Sequence, residues 1–226
     1  MCGRFALYTD PIALAKKFQT DNLLEFQPSY NVAPSQTIPI IRNEQGHRFF
    51  AMAKWGFIPS WAKDIKIGYN TINARADTVA EKPAFRSAFQ HRSCLIPADG
   101  YFEWQEIAGN KTKQPWYISL KNQEPMGLAG LWEHWHGSDG SEIESCTIIV
   151  TAGNELMQPI HDRMPMILPK EHWDNWLNTT NTNKQGLQTL LTQYPTDEMT
   201  AWRVGTVVNS SRHNSEEYIQ PVKIIA

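Results

Sequence analysis

Three cysteines, Cys2, Cys94 and Cys146, are all that the sequence contains, and no two of them lie close together. There is no CxxC pair and no zinc-ligand spacing, which excludes ribbon-type zinc modules. An odd, scattered set also argues against a secreted disulfide framework and for a reducing compartment. A long apolar run is absent too. No signal peptide follows the Met1–Phe5 start and no stretch would span a membrane, so the chain is expected in the cytoplasm without membrane contact. Excess positive charge is missing as well. Lys and Arg total 21 against 23 Asp and Glu, a net charge of −2. That argues against a coat held on nucleic acid by bulk charge, but leaves room for one local basic groove. Repeats, linkers and low-complexity tracts are not found.

What is present suits a folded α+β protein. Hydrophobic residues make up 41% of 226 residues, enough to bury a sizeable core. Thr9 or Asp10 can cap a first helix, with Pro11 in its first turn and Ile12, Leu14, Ala15 and Phe18 as its apolar stripe. A loop is expected over Gln27–Ser35. Strands are expected at Ile38–Arg42 and Phe49–Gly56 around an Asn43–Gly46 turn, followed by an irregular Ile58–Tyr69. Short helices are read at Asp77–Glu81 and Ala84–Gln90. Then come strands at Cys94–Pro97, Tyr101–Glu106, Trp116–Leu120, Met126–Trp135 and Ser145–Thr151, with Gly-containing turns at Ala108–Lys111 and Gly137–Gly140. The remainder reads as a helix at Asn154–Gln158, a strand at Met164–Leu168, helices at Lys170–Leu177 and Asn183–Gln193, and a strand at Trp202–Val208. Short connections favour antiparallel pairing. The expectation is one domain over residues 1–226, with a largely antiparallel, strongly twisted or barrel-like β core flanked by short helices.

Several residues could carry chemistry. If Met1 is removed, Cys2 offers an α-amine and a thiol on adjacent carbons, with reference pKa values of about 8 and 8.5. Amines form Schiff bases with carbonyls, and with an aldehyde the thiol can close a five-membered thiazolidine. A free Cys is, however, often simply core. Glu103 stands in Tyr101-Phe102-Glu103-Trp104, where aromatic neighbours could raise its pKa; it could equally lie on the wet face of a strand. His161, beside Asp162 and Arg163, could shuttle protons or belong to a local charge network. His134 and His136, alternate residues of a strand, could share a metal, but no third ligand is suggested and no metal or cofactor is expected. Trp61 is one of nine tryptophans and sits in the irregular Pro59–Lys63 stretch. Beside Lys63 and Lys66 it could stack on bases, or it could anchor its own loop.

Seven short motifs occur in order: Met-Cys-Gly-Arg-Phe (1–5), Tyr-Asn-Val-Ala-Pro (30–34), Trp-Gly (55–56), Ile-Asn-Ala-Arg (72–75), Ala-Asp-Gly-Tyr-Phe-Glu-Trp (98–104), Val-Thr-Ala (150–152) and Ile-His-Asp-Arg-Met-Pro (160–165). Together they resemble the SRAP family, the SOS-response-associated peptidase-like proteins that shield abasic sites. The likeness runs from residue 1 to about 170, with a weaker Val-Asn-Ser (208–210) in the tail. It implies attack of the Cys2 amine on the ring-opened aldehyde of an abasic site in single-stranded DNA, then thiazolidine closure, with strand cleavage as a lyase as a possible further activity. It implies Glu103 as acid/base, His161 as proton-transfer aid and Asn73 as holder of the N-terminus and sugar. Arg4 and Arg75 would bind phosphate, Pro34 and Thr151 would line the site, and Trp61 would stack at a single-strand/double-strand junction. Where the family carries two aromatics at that loop tip, Trp61 is followed here by Ala62. A monomer is expected. The resemblance also leaves open an N-terminal-nucleophile peptidase or amidotransferase, and a non-covalent single-strand binder.

Overall fold

The computed structural model describes residues 2–109, 111–178 and 184–222, without the side chains of 184 and 185. Its first strand, β1 (Phe5–Leu7), is wholly buried and leads into α1 (Pro11–Phe18). The Asp10 carboxylate caps that helix, accepting from Ile12 N at 2.9 Å and Ala13 N at 3.3 Å. Leu14, Ala15 and Phe18 face the core as the spacing requires, whereas Ile12, placed in the same stripe, points to solvent. β2 (Ser29–Val32) falls inside the expected loop: it pairs with β1, and the flanking prolines Pro28 and Pro34 bound it. The β3 (Thr37–Glu44)–β4 (His47–Trp55) hairpin turns at Gln45 and Gly46, both at positive φ, and Asn43 Oδ1 accepts from Gly46 N at 3.0 Å.

Beyond β4, a 3-10 turn at Ile65–Asn70 shapes the irregular stretch and precedes β5 (Asn73–Arg75). The helix read at 77–81 is a series of turns; α2 runs only from Arg86 to His91, with residues 83–85 as turns leading into it. β6 (Ser93–Ala98), β7 (Gly100–Gln105), β8 (Gln114–Leu120), β9 (Met126–His136) and β10 (Glu142–Ala152) match the expected strands. The Gly137–Gly140 turn forms as read, while the Ala108–Lys111 turn includes Asn110, outside the described residues. Residues 154–158 make turns rather than a helix. The strand read at 164–168 is two: β11 (Arg163–Pro165) pairs with β10 and β12 (Ile167–Leu168) pairs with β9. A 3-10 turn at Lys170–His172 leads into α3 (Trp173–Leu177), where one helix was read. α4 covers Lys184–Thr189; the helix expected over Asn183–Gln193 begins outside the described residues and stops four residues short, since 190–193 are a turn and irregular chain. β13 (Met199–Arg203) starts three residues early and ends before a 3-10 turn at 206–209.

Two sheets result. One has the order β13-β8-β7-β1-β2 and is antiparallel. In the other, β10 pairs with β4, β4 with β3, β3 with β6, β6 with β9, and β9 returns to β10, so five strands close on themselves. This is the barrel-like core, and closure removes the exposed edges. One correction applies to the strand directions: β10 runs parallel to β4 and to β5. Ile40, Ile41, Leu95, Ile96, Leu128, Leu131, Ile148 and Ile149 belong to the main core cluster. A second cluster under Phe102, Tyr117 and Val208 lies by β7 and β8.

Candidate active site

β1 lies between β2 and β7, so the residues just before it are set against β7. Phe5 pairs with both Val32 and Tyr101, and Phe102 N donates to Arg4 O at 2.9 Å. Cys2 is fully buried there. Burial, followed by the charge of Glu103, pushes its thiol well above the usual range. Tyr101, also fully buried, feels the charges of Cys2 and Glu103. Cys2, Tyr101 and Glu103 are thus electrostatic neighbours at one strand edge.

Glu103 is 2% exposed. Its place on β7 follows from alternation, but the face it takes is packed instead of wet. Burial raises its pKa from 4.5 to about 7, against the pull of a backbone N–H at Trp104 and with a further push from Asp162. His161 Nε2 stands 4.0 Å from Glu103 Oε2. Burial lowers the His161 pKa, which Asp162, with Oδ1 3.0 Å from Nδ1, partly opposes. The backbone N–H of Arg163 donates to His161 Nδ1 at 3.0 Å. His161 Nδ1 thus faces both the Arg163 N–H and the Asp162 carboxylate, which leaves Nε2 turned toward Glu103. An acid titrating near neutrality and an imidazole kept neutral are matched for moving a proton between them.

The end of β10 gathers a second group. Val150 pairs with Arg75, Thr151 with Met164 and Ala152 with Arg163, which sets Arg75, Thr151 and Arg163 around one recess of about 350 Å³ with Asp77 and Asp162. Arg75 is exposed and grips Asp77 through two nitrogens. Arg163 was missed as a candidate, although it lies within the motif that marked His161; its register opposite Ala152 is what brings it beside Arg75. Asn73 heads β5, opposite Ile148. Its Nδ2 donates to Ile72 O at 3.1 Å, while its buried Oδ1 has no hydrogen-bond partner among the described residues.

Arg4 is more tied down than a phosphate ligand need be. Its Nη1 donates to Asn31 Oδ1 at 2.6 Å and to Val208 O at 2.7 Å, and its guanidinium stands 5.8 Å from the Trp104 ring. Asn31 Nδ2 donates to Ser210 O at 2.8 Å, and Trp104 Nε1 to Asn209 Oδ1 at 2.7 Å. The 30–34 motif and the 208–210 tail thus converge on Arg4, which explains why a weak tail motif accompanies the others. Pro34 lies half-buried in the turn after β2. Trp61 is apart from all of these. It is 60% exposed and lines a groove of about 920 Å³ with Lys63, Asp64, Trp135 and Ser138. Trp135 Nε1 holds Ala62 O at 2.7 Å, which props the loop.

The fold brings together a buried thiol near the chain start, a raised carboxyl and a neutral imidazole. A family model described as SOS response associated peptidase (SRAP) matches residues 1–211, and the chain belongs to this family. The abasic site processing protein YoqW of Bacillus subtilis (strain 168) is 47% identical over 223 residues, covering 97% of this chain and 99% of that protein. The abasic site processing protein HMCES of Xenopus tropicalis is 33% identical over 224 residues, covering 85% of this chain and 66% of that protein. A crystal structure of a protein from Bacteroides thetaiotaomicron superposes with a TM-score of 0.88 at 29% identity, covering 98% of this chain and all of that one.

Proposed function

We propose that the protein recognises abasic sites in single-stranded DNA and bonds to them covalently through Cys2. The observation that carries this reading is the Glu103–His161 pair beside Cys2, 4.0 Å from oxygen to nitrogen, with the carboxyl titrating near 7. Removal of Met1 frees the Cys2 amine. That amine adds to C1′ of the ring-opened deoxyribose, and water leaves to give a Schiff base. Sγ then adds to the same carbon while the ring nitrogen takes a proton, so one water is lost overall. Protonated Glu103 supplies the proton that opens the sugar and expels water. His161 moves protons to and from Glu103, and in reverse opens the ring. Asn73 Oδ1 offers an acceptor to the amine or to a sugar hydroxyl. Arg75 and Arg163 face the phosphates across the Thr151 recess, while Arg4 holds the cradle of Asn31, Trp104 and Val208 beneath them. Pro34 forms part of the wall after β2. Trp61 stacks on a base where a single strand meets a duplex.

The thiol's raised pKa weighs against the hydrolase alternative, because an N-terminal-nucleophile peptidase attacks with thiolate, which burial makes scarce. It is compatible with chemistry led by the amine and closed by the thiol. Incubating the processed protein with an abasic oligonucleotide and running a denaturing gel tests the proposal. A shifted band supports it. Retained binding in a native gel with no shifted band in the denaturing one would reduce the protein to a non-covalent binder.

A further inference from the structure

β9 and β10 run past the closed barrel as a two-stranded ribbon. The pairing with β6 ends at Leu131, whereas β9 and β10 stay in register out to His136 and Glu142. Residues two apart on a strand share a face, and so do residues directly opposite one another. His134 and His136 therefore share a face with Glu144 and Glu142, their cross-strand partners. Glu144 is engaged by Arg42, whose Nη1 donates to both of its oxygens at 3.0 Å. Glu142 is turned to the imidazoles instead: Oε2 stands 3.4 Å from His134 Nε2, and Oε1 stands 3.2 Å from His136 Nδ1. The two rings stack with centroids 4.3 Å apart. One ligand atom from each of the three residues lies within 4.8 Å of the others.

From this geometry we propose that His134, His136 and Glu142 form a binding site for a zinc-class divalent cation. Two ligands about 2.0–2.1 Å from a tetrahedral zinc stand about 3.3 Å apart; each imidazole is that far from one Glu142 oxygen, His134 from Oε2 and His136 from Oε1, and side-chain rotation out of the ring stack would close all three on one ion. Two imidazoles and one carboxylate select zinc, copper or nickel over magnesium or calcium, which prefer all-oxygen sites. The sequence alone suggested no third ligand, because Glu142 is brought in by the register across the hairpin turn and not by spacing. The site is separate from the Cys2 cluster. It staples a ribbon that, as a lone two-stranded pair, has little stability of its own. On the other face of β9, between the two histidines, Trp135 holds the Ala62 carbonyl, so the cation stiffens the support of the Trp61 loop.

Isothermal titration with zinc chloride on the full chain tests this, in a Cys2→Ala background so that the N-terminal thiol does not chelate. The expected result is one zinc per chain. The His134→Ala/His136→Ala double variant should weaken it by about a hundredfold, roughly two decades of Kd, and Glu142→Gln should weaken it less. Both histidines are partly exposed, and metal-free melting of each variant should match the parent, which separates ligand loss from misfolding. Hydrogen exchange should slow across residues 133–145 on adding zinc, and only when both histidines are present. Absence of zinc binding in the Cys2→Ala chain, or equal affinity without the two histidines, overturns the proposal.

Discussion

Glu103 is 2% exposed and Trp61 is 60% exposed, so each is placed against the habit of its residue type. A carboxyl in the core opposes folding once it ionises; a large aromatic in solvent leaves apolar area uncovered. The two departures differ in what surrounds them. Around Glu103 are strands of the five-stranded sheet, buried aromatics and a histidine held by a backbone N–H, so its surroundings are fixed by the fold. Around Trp61 are a loop, Lys63 and the ribbon of β9 and β10, which leave it open to solvent. The proposed chemistry thus sits where the protein is packed and dry, and the proposed recognition where it is open.

The contrast is broken most forcefully at Glu103. Glu103→Gln is expected to slow crosslink formation by about 10²–10⁴-fold, the usual share of general acid–base catalysis, with DNA affinity retained. Single-turnover rates within threefold of the parent would remove Glu103 from the proton path. The same change should stabilise the fold at alkaline pH. The folded pKa of Glu103, about 7, is raised above its ordinary 4.5, so the parent keeps full stability below about pH 4.5 and loses it as pH rises through 7. At pH 8 that loss is about 3 kcal/mol, at 1.36 kcal/mol per pKa unit. Urea unfolding should show Glu103→Gln more stable than the parent at pH 8 and equal at pH 4.5; equal stability at both would mean that the carboxyl is not strained.

Trp61→Ala sharpens the other side of the comparison. Stacking is worth roughly 1–3 kcal/mol per base, so affinity for a single-strand/double-strand junction should drop by about tenfold or more while Tm stays put. An unchanged Kd in fluorescence anisotropy would make Trp61 a loop anchor only. Smaller still are the effects of Arg75→Gln and Arg163→Gln. Each should lower the slope of log K against log salt by about 0.7 if one phosphate contact on single-stranded DNA is lost, leaving the crosslinking rate at saturation intact. A change in the saturated rate without a change in slope would place these arginines in the chemistry rather than on the backbone.

Local signals made much of this legible. Asp10–Pro11 announced α1, the Asn43–Gly46 turn announced a hairpin, and strand-like runs bounded by turns announced the barrel strands. β1, β2 and β5 went unread because they are three, four and three residues long and take their strand character from neighbours, not from their own pattern. Closure of the barrel through β10, and its parallel pairing with β4 and β5, is a long-range fact that no local window holds. At the site, the aromatic neighbours of Glu103 hinted at a raised pKa. Spacing could not place His161 4.0 Å away, nor Arg163 beside Arg75, nor show that Arg4 is bound by the 208–210 tail. Motif order supplied what spacing could not, and the register of β10 with β5 and β11 supplied the reason.

The central claim is that the amine and the thiol of a mature Cys2 bond to one carbon of the abasic sugar. Intact-mass spectrometry after exposure to an abasic oligonucleotide tests it on three proteins: processed, Met1-retaining and Cys2→Ala. The processed chain should gain the oligonucleotide mass less one water, stably. Cys2→Ala should show only a labile adduct that borohydride traps, and the Met1-retaining chain should gain nothing. A Met1-retaining chain that acquires the same mass as fast and as stably as the processed one would contradict the account.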